Sequence, residues 1–258
     1  MHSHLKLVVA LGTAVLILSA GIAAAEKPTT VRAGNLELTL NGGFTPKTLS
    51  RTKLTPIDFF GSGAIRTIDG THPPALQEFI LETDKSAEFT TEGLSICRSS
   101  QLQSQDSDHA RAICEDSIIG TGVGKAEIAF PEQKPIPVTS PLTIFNGGAK
   151  GGVTTVFVHV YITVPTPAAI VTTVKISKID RGRFGLKSVA SIPKIAGGSG
   201  SATYFGFSID KKYTYRGKRI SVLSAKCPDG KLTAHGTAVF SDGTRASAEI
   251  LRVCTPKD

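Results

Sequence analysis

Between Lys218 and Cys254 the chain reads as three alternating runs separated by two Asp-Gly turns, with one cysteine closing the first run and another closing the third. The runs are Lys218–Cys227 (KRISVLSAKC), Lys231–Phe240 (KLTAHGTAVF) and Arg245–Cys254 (RASAEILRVC). Pro228-Asp229-Gly230 and Ser241-Asp242-Gly243-Thr244 lie between them, and Asp-Gly supplies the positive φ that tight hairpins demand. This arrangement predicts a three-stranded meander whose outer strands run the same way, so that Cys227 and Cys254 finish at one end. Straight across the middle strand they would be about 9.6 Å apart, whereas a disulfide needs Cα atoms within about 7 Å. The gap closes if the tail after Val253 leans over the first turn. A disulfide there would stabilise the fold by on the order of 3 kcal/mol.

The remaining cysteines are Cys97 and Cys114. An even count favours disulfides in an exported chain. No C-x-x-C occurs, which weighs against zinc and thioredoxin-like chemistry, and no metal or cofactor is expected. Nearest-neighbour pairing, Cys97 with Cys114 and Cys227 with Cys254, is one of three connectivities. The first pair encloses the chain's clearest helical signal. Asp106-Ser107-Asp108 can cap a short helix running through Cys114 to Ile118, its acids near the positive N-terminus. Ala110, Ile113, Cys114 and Ser117 would share a face, tied to the loop after Gly93-Leu94.

Export is itself readable. A short start, MHSHLK, precedes the uncharged run LVVALGTAVLILSAGIAAA, which ends in Ala23-Ala24-Ala25. That is the pattern of a secretory signal peptide, with cleavage expected after Ala25; an uncleaved anchor is the alternative. No later apolar run is long enough for a spanning helix, so no membrane span is expected after cleavage. The protein is expected to be secreted or associated with the cell envelope.

Elsewhere the dominant period is two. Leu36–Leu40 alternates and ends at Asn41-Gly42-Gly43, read as a turn. Gly124–Phe130, Leu142–Asn146, Val153–Val164, Ile170–Ile179, Phe184–Ile192 and Ser201–Ile209 read as further strands. Gly147–Gly152 reads as a break. Many short strands punctuated by turns predict an all-β fold: an antiparallel β-sandwich or open barrel with one short helix tied in by a disulfide. Residues 26–258 are expected to form a single β-rich domain, with a sub-division near 131–141 as the alternative. The four prolines there are better placed in an extended edge segment, because proline cannot donate to a ladder.

Motifs for chemistry are sparse. Gly120-Thr121-Gly122-Val123-Gly124 lacks the spacing of a nucleotide loop and runs directly into strand-like sequence, which suits a bulge or close backbone packing. Asp106, Asp108, Glu115 and Asp116 do not match a calcium loop. G-x-S-x-G and H-E-x-x-H do not occur, and His159 and His235 fall within strand patterns. The chain carries a formal net charge of +8. Its basic patch is KKYTYRGKR, and the candidate binding residues are Lys211, Lys212, Tyr213, Tyr215, Arg216, Lys218 and Arg219. Alternation would set Lys211, Tyr213 and Tyr215 on one face and Lys212, Thr214 and Arg216 on the other. Cations beside aromatics suit an anionic cell-envelope polymer; no nucleic-acid partner is expected.

The segments GLSIC, ARAICEDSIIGTGVGKA, LTIFNGG and CPDGKL…FSDGT…C together resemble an uncharacterised family of secreted bacterial proteins with two cysteine pairs. That resemblance implies export and no known activity. The function expected is that of a non-catalytic envelope or extracellular protein, binding or structural, in contact with anionic polymers. The alternative is a secreted hydrolase acting on polysaccharide through paired carboxylates.

Overall fold

A computed structural model describes residues 26–258; the signal peptide expected at 1–25 lies outside the described residues. Twelve strands form one antiparallel sheet. In chain order they begin with β1 (Thr29–Ala33), β2 (Leu36–Thr45), β3 (Asp58–Thr67) and β4 (Leu76–Asp84). Next come β5 (Ile118–Ile128), β6 (Ile136–Lys150), β7 (Val153–Ile162) and β8 (Ala168–Arg181). The last are β9 (Phe184–Ser191), β10 (Gly200–Ile209), β11 (Lys231–Phe240) and β12 (Arg245–Val253). Their order across the sheet is β1-β2-β3-β10-β5-β6-β7-β8-β9-β4-β11-β12.

The sheet curls until β1 lies alongside β12, without a backbone ladder between them. Side chains hold that seam. Thr29 Oγ1 donates to the Glu249 carbonyl, and the Glu26 carboxylate accepts from the Val253 amide and the Lys47 ammonium. The all-β expectation is therefore met by a nearly closed barrel.

Part of the expected meander forms. β11 pairs with β12 across the Asp242-Gly243 turn, where Gly243 has φ 85°. The run Lys218–Cys227, however, does not pair with β11, whose other neighbour is β4. Lys218–Ser221 instead folds back on Lys212–Tyr215 as a hairpin. Leu223–Ala225 joins Thr55–Pro56 and Ala87–Phe89 in a small sheet that covers one end of the barrel. The reason is local burial: Ala225 and Cys227, with Leu223 against them, pack with Phe44, Leu49 and Ile57 in a core of their own. The disulfide survives this change of partners, with Cys227 and Cys254 Cα atoms 6.1 Å apart. The Cys254 amide donates to the Gly230 carbonyl, so the tail does lean on the turn.

Several glycines read as turns lie inside strands. β2 continues through Asn41-Gly42-Gly43, because the Phe60 ring covers Gly43 so closely that a Cβ there would sit 2.6 Å from it. Gly147 and Gly148 belong to β6, and the turn is confined to Gly151-Gly152. The register shifts between Ile118 and Gly120, and Gly122 faces the Gly206 carbonyl where a side chain has no room. Pro137 and Pro141 lie in β6 where it pairs with β5 but beyond its last pair with β7 at Leu142. There β6 is laddered on one side only, the edge-like setting in which proline is tolerated.

The second disulfide joins Cys97 to Cys114, Cα atoms 5.6 Å apart. It ties down two short helices, α1 (Ser99–Leu102) and α2 (Ser107–Ile113). The Asp106 carboxylate caps α2 by accepting from the amides of Asp108 and His109 at 3.0 and 2.9 Å. Ala110, Cys114 and Leu102 bury against Phe145 and Phe157 on the outside of the barrel. Ile113 departs from the expected face and is exposed: α2 ends there, and Cys114 and Ser117 enter a 3₁₀ turn with a different pitch.

Candidate functional site: an apolar cavity inside the barrel

Alternation along each strand sends one set of side chains inward and the other to solvent. β6 turns Val138, Leu142 and Ile144 inward, and β7 turns Val156, Val158, Val160 and Ile162 inward. β8 adds Ile170, Val174 and Ile176, while β9 contributes Leu186, Ser188 and Ala190. β4, paired with β9, presents Phe79 and Leu81, and β10, beyond β5 from β6, presents Phe205 and Phe207. The Phe79 and Phe205 rings meet edge to face, their centroids 5.1 Å apart. Outward positions on the barrel strands include Lys175 of β8 and Arg245 and Glu249 of β12, all exposed. Apolar inside and charged outside is the reverse of a membrane β-barrel, whose apolar band faces lipid.

These side chains do not fill the space they surround. A cavity of about 370 Å³ remains in the barrel. The cause is strand number, since about eight strands already leave an interior that side chains only just fill. One end is packed by Leu36, Leu38, Ile65, Phe240 and Ala246, and nearby Ile195 closes in from the loop after β9. At the other end the small sheet covers the cavity with Ile57, Phe89 and Leu223.

The buried charged groups at the wall, Arg252 and Asp84, are already engaged. Arg252 is buried and donates to the Gly42, Leu251 and Lys27 carbonyls and to the Asn41 side chain. Asp84 is buried and accepts from Arg183 at 2.7 Å and from the amides of Ser86 and Thr233. Arg183 also grips Asp229, holding that carboxyl at about 2, and the two carboxylates hold the guanidinium above its ordinary value. The Ser140 hydroxyl donates to the Tyr161 carbonyl at 2.6 Å. Lys125 reaches outward, its ammonium 5.6 Å from the Tyr204 ring centre.

A second, polar hollow lies beside Asn35, Thr67, His72 and Asp242. Its groups are bonded locally: His72 Nε2 meets the Glu127 carbonyl at 3.1 Å, and Asp242 accepts from Thr244. Outside the barrel wall, His159 is buried beneath the disulfide-tied helices. Its Nε2 donates to the Gln105 carbonyl at 3.0 Å, its Nδ1 has no partner, and burial lowers its pKa. Among the described residues no cluster of His, Cys, Asp and Glu side chains could hold a metal ion.

The sequence-predicted binding residues lie on and beside the hairpin at the covered end. Lys212 pairs with Asp58 at 2.6 Å. The Tyr213 hydroxyl donates to the Glu92 carbonyl, and burial raises its pKa. Tyr215 packs on Gly93, and Arg216 stacks over the Tyr215 ring. The tyrosines thus face the body of the protein, while Lys212, Arg216, Lys218 and Arg219 are exposed and Lys211 is half-buried. Sequence reasoning does not single out the cavity residues. The signal present in the chain is the small polar or short residue recurring on otherwise apolar inward faces, at Ser140, Thr172, Ser188 and Ala190.

A comparison with known protein families and with curated proteins finds no match. Among the described residues no helix is long and apolar enough to cross a membrane. The two disulfides are consistent with an extracellular location.

Proposed function

We propose that this is an exported, non-catalytic binding protein that carries an apolar molecule inside its barrel. The observation that carries the reading is the apolar cavity of about 370 Å³. At about 24 cal/mol per Å³, leaving such a volume empty costs roughly 9 kcal/mol. That is comparable to the whole stability of a typical domain, about 5–15 kcal/mol. An apolar occupant offsets the cost; water does not, because it finds too few polar partners there. The volume also falls in the range of small-molecule sites, about 300–1,000 Å³.

The test is fluorescence of the neutral apolar dye N-phenyl-1-naphthylamine mixed with the mature protein. Saturable enhancement at one dye per protein is expected, and no enhancement in either native or lipid-stripped protein refutes the carrier reading. The polysaccharide hydrolase gains no support from the cavity. Its wall holds one carboxylate, Asp84, and Arg183 occupies it.

Export rests on the signal-peptide pattern, the resemblance to secreted bacterial proteins and the disulfides; N-terminal sequencing of the secreted product should begin at Glu26. A contact with anionic envelope polymer rests on the exposed cations of the hairpin. Retention on immobilised alginate at low salt is expected, and its loss in the Lys218→Glu/Arg219→Glu variant checks the surface.

A further inference from the structure

The carrier reading leaves the ligand's chemistry open, and the charges at the wall narrow it. We infer that the molecule held in the cavity is uncharged: a neutral lipid, rich in hydrocarbon, carrying at most hydroxyl, ether or carbonyl groups, and not an ionised fatty acid. This rests on the carrier reading and adds a specificity to it.

A carboxylate taken into a low-dielectric site needs a cation or several hydrogen-bond donors. Two cationic side chains, Arg252 and Lys125, belong to the wall; Arg252 is buried and engaged, and Lys125 holds its charge in solvent. The Arg252 guanidinium spends its donors on three backbone carbonyls and on Asn41, and it lies 3.4 Å from the Glu26 carboxylate. Lys125 is solvent-exposed, its ammonium 5.6 Å from the Tyr204 ring centre, so its charge stays hydrated rather than buried. The backbone amides of the wall strands are engaged in the barrel ladders. A cationic ligand fares no better, because Asp84 is saturated by Arg183 and two amides. What the wall offers besides hydrocarbon is hydroxyls such as those of Thr172 and Ser188, which suit a neutral oxygen.

The experiment uses the wild-type mature protein loaded with N-phenyl-1-naphthylamine and titrated at pH 8 with two competitors of identical chain. Methyl palmitate is neutral, and palmitate is ionised. The ester should displace the dye about a hundredfold more effectively than the carboxylate, the discrimination that an uncompensated buried charge imposes. Equal displacement by palmitate, or tighter binding of it, overturns the inference while leaving the carrier reading in place. Absence of dye binding at the outset defeats the carrier reading itself. Mass spectrometry of an organic extract of the purified protein addresses the same point: neutral lipid supports the inference, and fatty acid or phospholipid overturns it.

Discussion

Replacing Ala190 with phenylalanine asks directly whether the barrel is hollow. Ala190 sits in β9 opposite Val174 of β8 and Phe79 of β4, and its methyl lines the cavity. If the space is empty or ligand-filled, the new ring enters it without displacing protein atoms. Burying a phenyl group in that way is worth about 1.5–3 kcal/mol, and phenylalanine suits a strand at least as well as alanine. If the interior were instead fully packed, the same change would overfill it and cost about 1–3 kcal/mol. The two cases differ in sign. For a chain of this size each kcal/mol shifts Tm by about 2–4 °C. Thermal melts followed by circular dichroism, on protein refolded without lipid, should show Tm higher by several degrees in Ala190→Phe. Dye capacity should fall in the same variant. A Tm several degrees lower, with dye binding unchanged, refutes the hollow-barrel argument.

Three further outcomes follow from the framework around the cavity. The Cys227→Ser/Cys254→Ser variant opens a loop of 27 residues and should lose about 3–4 kcal/mol in urea denaturation; a loss under about 1 kcal/mol would contradict the loop-closure account. Arg183→Met leaves buried Asp84 without its cation and should cost roughly 3 kcal/mol, while the Asp229 carboxyl, read by NMR titration, should rise from about 2 to its ordinary range. His159 is held neutral by burial, so the folded protein binds fewer protons than the unfolded chain once the pH falls below about 6.5. Its contribution is therefore complete above that pH and is lost as the pH falls toward the lowered folded value. The wild type should weaken relative to His159→Gln as the pH falls below about 6.5. His109, whose pKa Asp106 raises, is common to both proteins and cancels from the difference.

Local chemistry was legible where a few neighbouring residues decide the outcome. Asp106 announces the start of α2 because its carboxylate reaches amides only two and three residues on. Asp242-Gly243 announces the β11–β12 hairpin because the turn needs a positive φ. The glycines misled for a non-local reason. At Gly43 and Gly122 the demand for a missing Cβ comes from Phe60 and from the Gly206 carbonyl, on strands adjacent in space, and nothing nearby in the chain reveals them. The run Lys218–Cys227 alternates well enough for a sheet, yet its apolar residues found a separate core at the barrel's end. β4 inserts between β9 and β11, two strands far from it along the chain, and alternation carries no address of that kind.

From the order of its residues alone, this protein was bound to be β-rich, with a hairpin at Asp242-Gly243 and four cysteines for which two short-range pairs were one of three connectivities. Only the tertiary structure decided that twelve strands would curl into one nearly closed ring and that the ring would be hollow. The period-two pattern says which side chains face inward but not how far they face one another across the interior. That distance depends on strand number and stagger, which are properties of the assembled sheet and not of any strand within it.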